Sequence, residues 1–195
     1  FLFYANLPPQ HLTDVASHYW SLGVEVQFYV GVAIVIAIFG VRGLYILPIL
    51  CVAITLHRVW TNAYADIVTW RRADEILAGC TLALTVSGKF GARPIIWLKN
   101  FNTQFLAILF LICCVPAFGA LNYFRPYMAV LLIGSTIFGN PTRVDALLKS
   151  NVFSYIAKVS FAVYVIHHIF QYSWLGMDAD KVIKYIKRPF LFVAT

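Results

Sequence analysis

The sequence predicts an all-α integral membrane protein, a polytopic bundle of about six or seven transmembrane helices that forms one domain over residues 1–195. The first observation behind this prediction is composition, since 61% of the residues are hydrophobic and 12% are charged. Soluble domains are about 45–50% apolar and about 25% charged. The second is that the charges fall between apolar intervals, and the third is that Gly, Pro and Asn fall in the same gaps.

Six charge-free intervals follow one another along the chain, and a seventh begins at Pro189. A spanning helix needs about 20 mostly apolar residues. Several intervals are shorter, so we expect polar neighbours such as Glu25, Arg72 and Asp74 to lie inside the helices and face the bundle. We expect Pro116 to mark a bend rather than a helix end. The intervals are residues 26–41, 43–57, 76–88, 100–124, 126–142 and 159–177.

Basic residues are in excess, with 15 Lys and Arg against 8 Asp and Glu. In a membrane protein this excess predicts loops that face anionic lipid headgroups. The chain has no basic run interleaved with aromatic residues, so membrane lipids and not nucleic acids are the expected partners. The Lys and Arg bias of alternate loops gives no clear orientation. Lys158 is expected inside a helix, six basic residues fall on one side (Arg42, Lys89, Arg93, Lys99, Arg143 and Lys149) and eight on the other (Arg58, Arg71, Arg72, Arg125, Lys181, Lys184, Lys187 and Arg188).

Cysteine and histidine spacing predicts no metal site and no disulfide. The four cysteines lie in apolar stretches without CxxC spacing, as small core residues do. The adjacent His167 and His168 would point about 100° apart on a helix, and no HExxH motif supplies a third ligand. The chain also lacks GxGxxG and Walker motifs, so hydride transfer and nucleotide hydrolysis have no support.

The first candidate site is the segment SHYWSLGVEVQFY, residues 17–29, at the entrance of the first span. On a helix, Ser21, Glu25 and Tyr29 would share one face, with His18 seven residues before Glu25. A carboxylate beside an imidazole at the membrane edge could orient a base or accept a proton. Alternatively, Glu25 and His18 form a satisfied interfacial pair within an aromatic belt.

Two later segments add polar residues. Arg72 and Asp74 are expected to form a local ion pair, or alternatively to line the wall of a polar substrate cavity. Ser160 and Tyr164 repeat at helical spacing, with His167 one turn after Tyr164. This third group is either hydrogen-bonded packing or part of a catalytic site.

These segments resemble the membrane-bound acyltransferase 3 family. SHYWSLGVEVQFY resembles that family's HxWSLxxEEQFY signature, with Val26 in place of the second Glu. TWRRADEILAGCTLAL resembles its R-x-D-x-L-x-x-G-x-x-x-A segment, and VSFAVYVIHHIF resembles its late I-S-Y-x-L-Y-x-x-H segment. The residues that match the first signature are His18, Trp20, Ser21, Leu22, Glu25, Gln27, Phe28 and Tyr29.

The resemblance implies a plasma (inner) membrane O-acetyltransferase, an enzyme with acyl-CoA as donor substrate and no bound cofactor. Family members transfer an acyl group, usually acetyl, to a hydroxyl of a glycan such as lipopolysaccharide or peptidoglycan, or to a hydroxyl of a small acceptor. Glu25, helped by His18, is implied as catalytic. The implied substrate-binding residues are Trp20, Ser21, Gln27, Tyr29, Arg72, Asp74, Tyr164 and His167.

The family also has an Arg-x10-His motif in its first helix and an RxxR motif before its third, and neither lies upstream of Ser17. We therefore expect residues 1–195 to be a fragment of an acyltransferase-like domain that lacks the first helices and is inactive alone. The alternative is a non-catalytic membrane scaffold or a transporter for a glycan or lipid.

Overall fold

The computed structural model describes residues 19–63 and 68–171, which form α-helices, 3₁₀ segments and turns. This part of the chain contains no β-strand, and the predicted all-α class is confirmed. Three 3₁₀ segments cover Val41–Ile46, Thr69–Arg71 and Pro116–Phe124. The α-helices are α1 (Trp20–Phe39), α2 (Leu47–Trp60), α3 (Asp74–Val86), α4 (Arg93–Lys99), α5 (Thr103–Cys114), α6 (Arg125–Phe138), α7 (Arg143–Leu148) and α8 (Asn151–Gln171).

Two helical stretches are long and apolar enough to cross a membrane: Trp20–Phe39, and Val41–Trp60, which joins a 3₁₀ segment to α2. Helices α4 and α5 add a third if they form one broken span, since they meet at a bend of 91°. At 1.5 Å per residue, α3, α5 and α6 are about 18–21 Å long, short of the hydrocarbon thickness of about 30 Å. The predicted count of six or seven spans is therefore not confirmed.

Caps and prolines set the helix ends. Gly40 ends α1 with φ +63°, and its amide donates to the carbonyl of Ile36. The Asn102 side chain begins α5 by accepting from the amides of Gln104 and Phe105. Helix α5 ends at Cys114, because the backbone before a proline favours an extended conformation and Val115 has φ −77° and ψ 118°.

The expectation that Pro116 marks only a bend is therefore wrong. Interval 100–124 is divided into α5 and a 3₁₀ segment, and that segment is itself interrupted at Gly119, which has φ +43° and ψ −96°. A helix cannot continue through a residue with that backbone conformation unless it kinks.

The core lies between α2 and α3. Leu47 and Cys51 of α2 pack against Leu77 and Ala78 of α3, together with Ala73. Partly buried side chains cover this cluster from two other helices, with Phe28 from α1 and Tyr127 and Val130 from α6. The core therefore fixes α1, α3 and α6 around α2.

Many large apolar side chains lie on the outside of the bundle. An outer surface of this kind is stable against lipid tails, whereas in water such apolar patches mark interaction sites. Side chains that are more than half exposed include Ile34, Ile38, Ile49, Leu56, Leu111 and Ile137.

The turns alternate between two ends of the bundle. The Arg58 end is formed by residues 19–25, 58–63, 68–75 and 115–125, and contacts from Arg58 to Asp74 and from Glu75 to Arg125 hold it together. The Lys99 end is formed by residues 40–46, 87–102 and 139–150. There the Tyr45 hydroxyl donates to the carbonyl of Lys89 at 3.3 Å.

Candidate functional site

The three predicted segments meet at the Arg58 end. Ser21 of α1 and Tyr164 of α8 share a hydrogen bond although 143 residues separate them. The Thr69 hydroxyl donates to Oε1 of Gln27, which connects α1 to the turn before α3. These contacts bring the first segment against both of the others.

A cleft of about 240 Å³ lies between α1 and α8. Ser21 and Glu25 line it from α1, and Ser160 and Tyr164 line it from α8. Glu25 is exposed. Its carboxylate interacts electrostatically with the Tyr164 phenol, and within residues 19–63 and 68–171 it makes no hydrogen bond or ion pair. Ser160 instead donates its hydroxyl to the carbonyl of Ala157 at 2.9 Å.

The cleft therefore offers one carboxylate and the linked hydroxyls of Ser21 and Tyr164. A carboxylate that no neighbouring cation neutralises can accept a proton, and hydroxyl groups can hold a polar acceptor by hydrogen bonds. Within the described ranges, no three His, Cys, Asp or Glu side chains lie close enough to hold a metal ion.

Arg72 contacts the same end of α1. Its guanidinium lies over the Trp20 ring, 5.8 Å from the centroid, in a cation–π contact. Burial lowers the pKa of Arg72, while the charge of Glu75 opposes that shift. The guanidinium of Arg72 nevertheless keeps its charge, because arginine is not deprotonated in proteins.

The expected Arg72–Asp74 ion pair is wrong. Arg72 pairs with Glu75 at 3.4 Å, and Glu75 also pairs with Arg125 of α6. Asp74 pairs with Arg58 of α2 at 2.5 Å. Arg72 precedes α3 and Asp74 is the first residue of that helix, and the two side chains reach different partners.

A buried polar cluster surrounds Asp74, which is 0% exposed, and Arg58, which is 1% exposed. Thr55 donates to Oδ2 of Asp74 at 3.1 Å, and the Tyr127 hydroxyl donates to Thr55 at 2.8 Å. The Cys51 thiol donates to the Asp74 carbonyl at 3.3 Å. Oδ1 of Asp74 is buried and has no hydrogen-bond partner among the described residues.

Arg58 is absent from the residues that the sequence predicted for the site. The available signal was that Arg58 directly follows the apolar interval 43–57, and that Asp74 lies two residues before the interval 76–88. Antiparallel neighbours bring two such positions to the same end of a bundle, so their pairing could have been proposed from the helix order.

The other predicted residues fall elsewhere. Tyr29 is 64% exposed, and its ring packs edge-to-face on Phe28 rather than lining the cleft. His18 lies outside the described residues. His167 belongs to α8, but its side chain also lies outside the described part.

Comparison with known proteins gives no further assignment. No family model, curated protein or solved structure matches this chain. The resemblance to acyltransferases rests on the three motif segments.

Proposed function

We propose that this protein is a membrane acyltransferase that moves an acetyl group from acetyl-CoA to a hydroxyl of a cell-envelope glycan. The observation that supports this function best is the convergence of the three motif segments at the Arg58 end. Ser21 contacts Tyr164, Gln27 contacts Thr69, and Trp20 contacts Arg72.

The chemistry needs a proton acceptor beside the attacking hydroxyl. The acceptor oxygen forms a bond to the acetyl carbon, the thioester C–S bond breaks, and the thiolate of CoA leaves and takes up a proton. Glu25 takes the hydroxyl proton or orients a histidine that does so, with His18 as the nearest candidate in sequence. The Ser21 and Tyr164 hydroxyls bind the acceptor in the cleft.

The proposal includes a bundle of six or seven spans in the plasma (inner) membrane. Its support is that each of the six apolar intervals overlaps a helix, namely α1, α2, α3, α5, α6 and α8. Helices α3, α5 and α6 lie in one packed group with α2, although each is short. Short helices of this kind can cross a bilayer where it thins locally.

The test replaces Glu25 with Gln in the native gene. Because general base catalysis contributes about 10²–10⁴-fold, acetyl transfer should fall by at least about 100-fold. The readout is the ester-linked acetate of the envelope glycan, with the protein level in the membrane measured in parallel. Unchanged acetate at a normal protein level would make Glu25 structural.

Two tyrosines of α8 provide a second test, Tyr164, and its matched control, Tyr155. Tyr164→Phe should lower the acetate by about fivefold, since it removes one hydrogen bond worth about 1 kcal/mol. Tyr155→Phe makes the same chemical change at an exposed position on α8 and should leave the acetate unchanged. Glycan binding that needs no acyl-CoA and survives Glu25→Gln would favour the transporter or scaffold.

A further inference from the structure

Unpaired positive charge is concentrated at the Lys99 end. All six basic residues there are exposed, and none forms an ion pair with a carboxylate of residues 19–63 or 68–171. The described carboxylate at this end is Asp145, which accepts from the amide and hydroxyl of Thr142. The six residues are Arg42, Lys89, Arg93, Lys99, Arg143 and Lys149.

The Arg58 end is different, because three of its arginines form ion pairs with carboxylates. Arg58 pairs with Asp74, and both Arg72 and Arg125 pair with Glu75. The two ends of the bundle therefore differ in the charge that they leave available for a partner outside the chain. Among residues 19–63 and 68–171, the basic side chains without an ion pair at the Lys99 end therefore favour an anionic partner there.

A cleft of about 520 Å³ opens within the Lys99 end, between the turn joining α4 to α5 and the turn joining α6 to α7. Lys99 and Arg143 line it from opposite sides, and no carboxylate lines it. Asn100, Gln104 and Asn140 add neutral polar side chains. The Asn102 oxygen caps α5, which leaves its NH₂ group as a further donor.

The cleft adjoins apolar surface. Trp97 of α4 is 57% exposed, and its ring packs edge-to-face on Phe101 at 4.5 Å. Tryptophan in this setting is typical of the membrane–water interface. Helix α5 turns away from α4 by 91° and exposes Phe105, Ile108 and Leu111. The bend therefore places the cleft where α4, with the exposed Trp97, meets α5 with its exposed apolar side chains.

We propose that this cleft binds the phosphate headgroup of an anionic phospholipid, with Lys99 and Arg143 contacting the phosphate. The paired donors of an arginine and the point charge of a lysine suit a phosphate ester. The acyl chains of the lipid lie along the exposed apolar side chains of α5. This site is at the opposite end of the bundle from Glu25 and does not depend on the acetyl transfer proposed there.

The experiment titrates the purified full chain, in neutral detergent, with a short-chain phosphatidylglycerol. The double variant Lys99→Gln, Arg143→Gln should bind about 30-fold more weakly, because each basic residue near a headgroup contributes about 1 kcal/mol. Phosphatidylcholine of the same chain length should bind the unmodified protein at least about 10-fold more weakly than phosphatidylglycerol. Both proteins should unfold at the same temperature without lipid, since the two side chains are exposed.

The control is the double variant Arg42→Gln, Lys89→Gln, which removes the same charge from the same end and should bind within about threefold of the unmodified protein. An equal loss in both double variants would overturn the site and leave only diffuse attraction between charges. Binding of inorganic phosphate as tight as that of the lipid would overturn the lipid as its ligand.

Discussion

Arg58 and Asp74 form a charged pair that is almost wholly removed from solvent. Breaking such a pair costs about 3–5 kcal/mol because one charge stays buried without its partner, whereas replacing both residues with apolar ones is often neutral. We therefore expect Arg58→Met to be strongly destabilising. The double variant Arg58→Met, Asp74→Leu should recover most of that loss when unfolding free energies are compared in detergent.

The Arg72–Glu75 pair is the control for these variants of Arg58 and Asp74. It is partly exposed, spans 3.4 Å and joins residues three positions apart. Exposed pairs contribute about 0–1 kcal/mol. If Arg72→Met were as costly as Arg58→Met, burial would not be the reason for the cost.

Thr142 and Asp145 cap the N-terminus of α7 by bonding to each other, and this cap predicts that stability depends on pH. Hydrogen bonds from the Thr142 hydroxyl and amide lower the pKa of Asp145 in the folded chain. A group with a lowered folded pKa stabilises the fold above its unfolded pKa of about 3.9, and this contribution is lost as the pH falls through the folded value.

Thr142→Val should cost about 1 kcal/mol at pH 7, which is typical for loss of an N-cap side chain. The difference from the unmodified protein should shrink below about pH 4 because the Asp145 carboxylate becomes protonated. Thermal unfolding between pH 3 and 7 measures both effects. In Asp145→Asn this part of the pH dependence should vanish, and its persistence would assign the dependence to another group.

At the scale of elements, Gly134 allows α6 to approach its neighbours closely. A Cβ atom there would lie 2.9 Å from Cδ2 of Leu98 and 3.3 Å from Cδ1 of Leu82. Both leucines are buried and have little room to move. Gly134→Leu should therefore destabilise the bundle by about 1–3 kcal/mol through overpacking.

Gly79 of α3 is the matched control, since a Cβ atom there meets nothing within 4 Å. Gly79→Leu should change the unfolding free energy by less than about 0.5 kcal/mol, as exposed substitutions usually do. Both variants place a leucine at a helical glycine. Equal destabilisation would therefore contradict packing at Gly134 as the cause.

The sequence predicts which stretches are helical better than where each helix ends. The apolar interval 126–142 corresponds to α6, which ends about one turn earlier, and 76–88 corresponds to α3 with a shift of about half a turn. The short helix α4 lies in a gap that Gly and Pro mark as a turn. An interval records where charge is absent, whereas helix ends depend on local groups such as the Asn102 cap.

In the candidate site, contacts within one helix follow from residue spacing, whereas contacts between helices do not. Ser21 and Glu25 could be placed together because helical spacing puts them on one face, and they do line one cleft. The partner of Tyr164 could not be read from spacing, because it belongs to another helix, and the Arg58–Asp74 pair could have been proposed only from the order of the helices. Contacts between helices depend on how the helices are arranged, and a single sequence gives no distances between them.

At the scale of the whole molecule, the bundle predicts which turns share a side of the membrane. If α3 and α6 cross the bilayer, single cysteines at Ser87 and Asn140 should react with an impermeant reagent from one side. Cysteines at Thr61 and Ala117 should react from the other side. These four positions are exposed, and the native cysteines are first replaced with alanine.

Labelling of intact and opened membrane vesicles distinguishes the two sides. Alternation along the chain is expected for six or seven spans. Reaction of Ser87 and Thr61 variants from the same side would show that α3 and its neighbours do not alternate across the bilayer, and would contradict the proposed span count.

The hydrogen bond between Ser21 and Tyr164 also joins two residues that are synthesised at different times. Ribosomes add about 5–20 residues per second, so the 143 residues between the two side chains take about 7–30 seconds to make. Throughout that time α1 is already synthesised, while the wall that α8 contributes does not exist. The cleft is therefore completed late in translation, and a nascent chain that stops before α8 has the wall formed by Ser21 and Glu25 without the opposite wall.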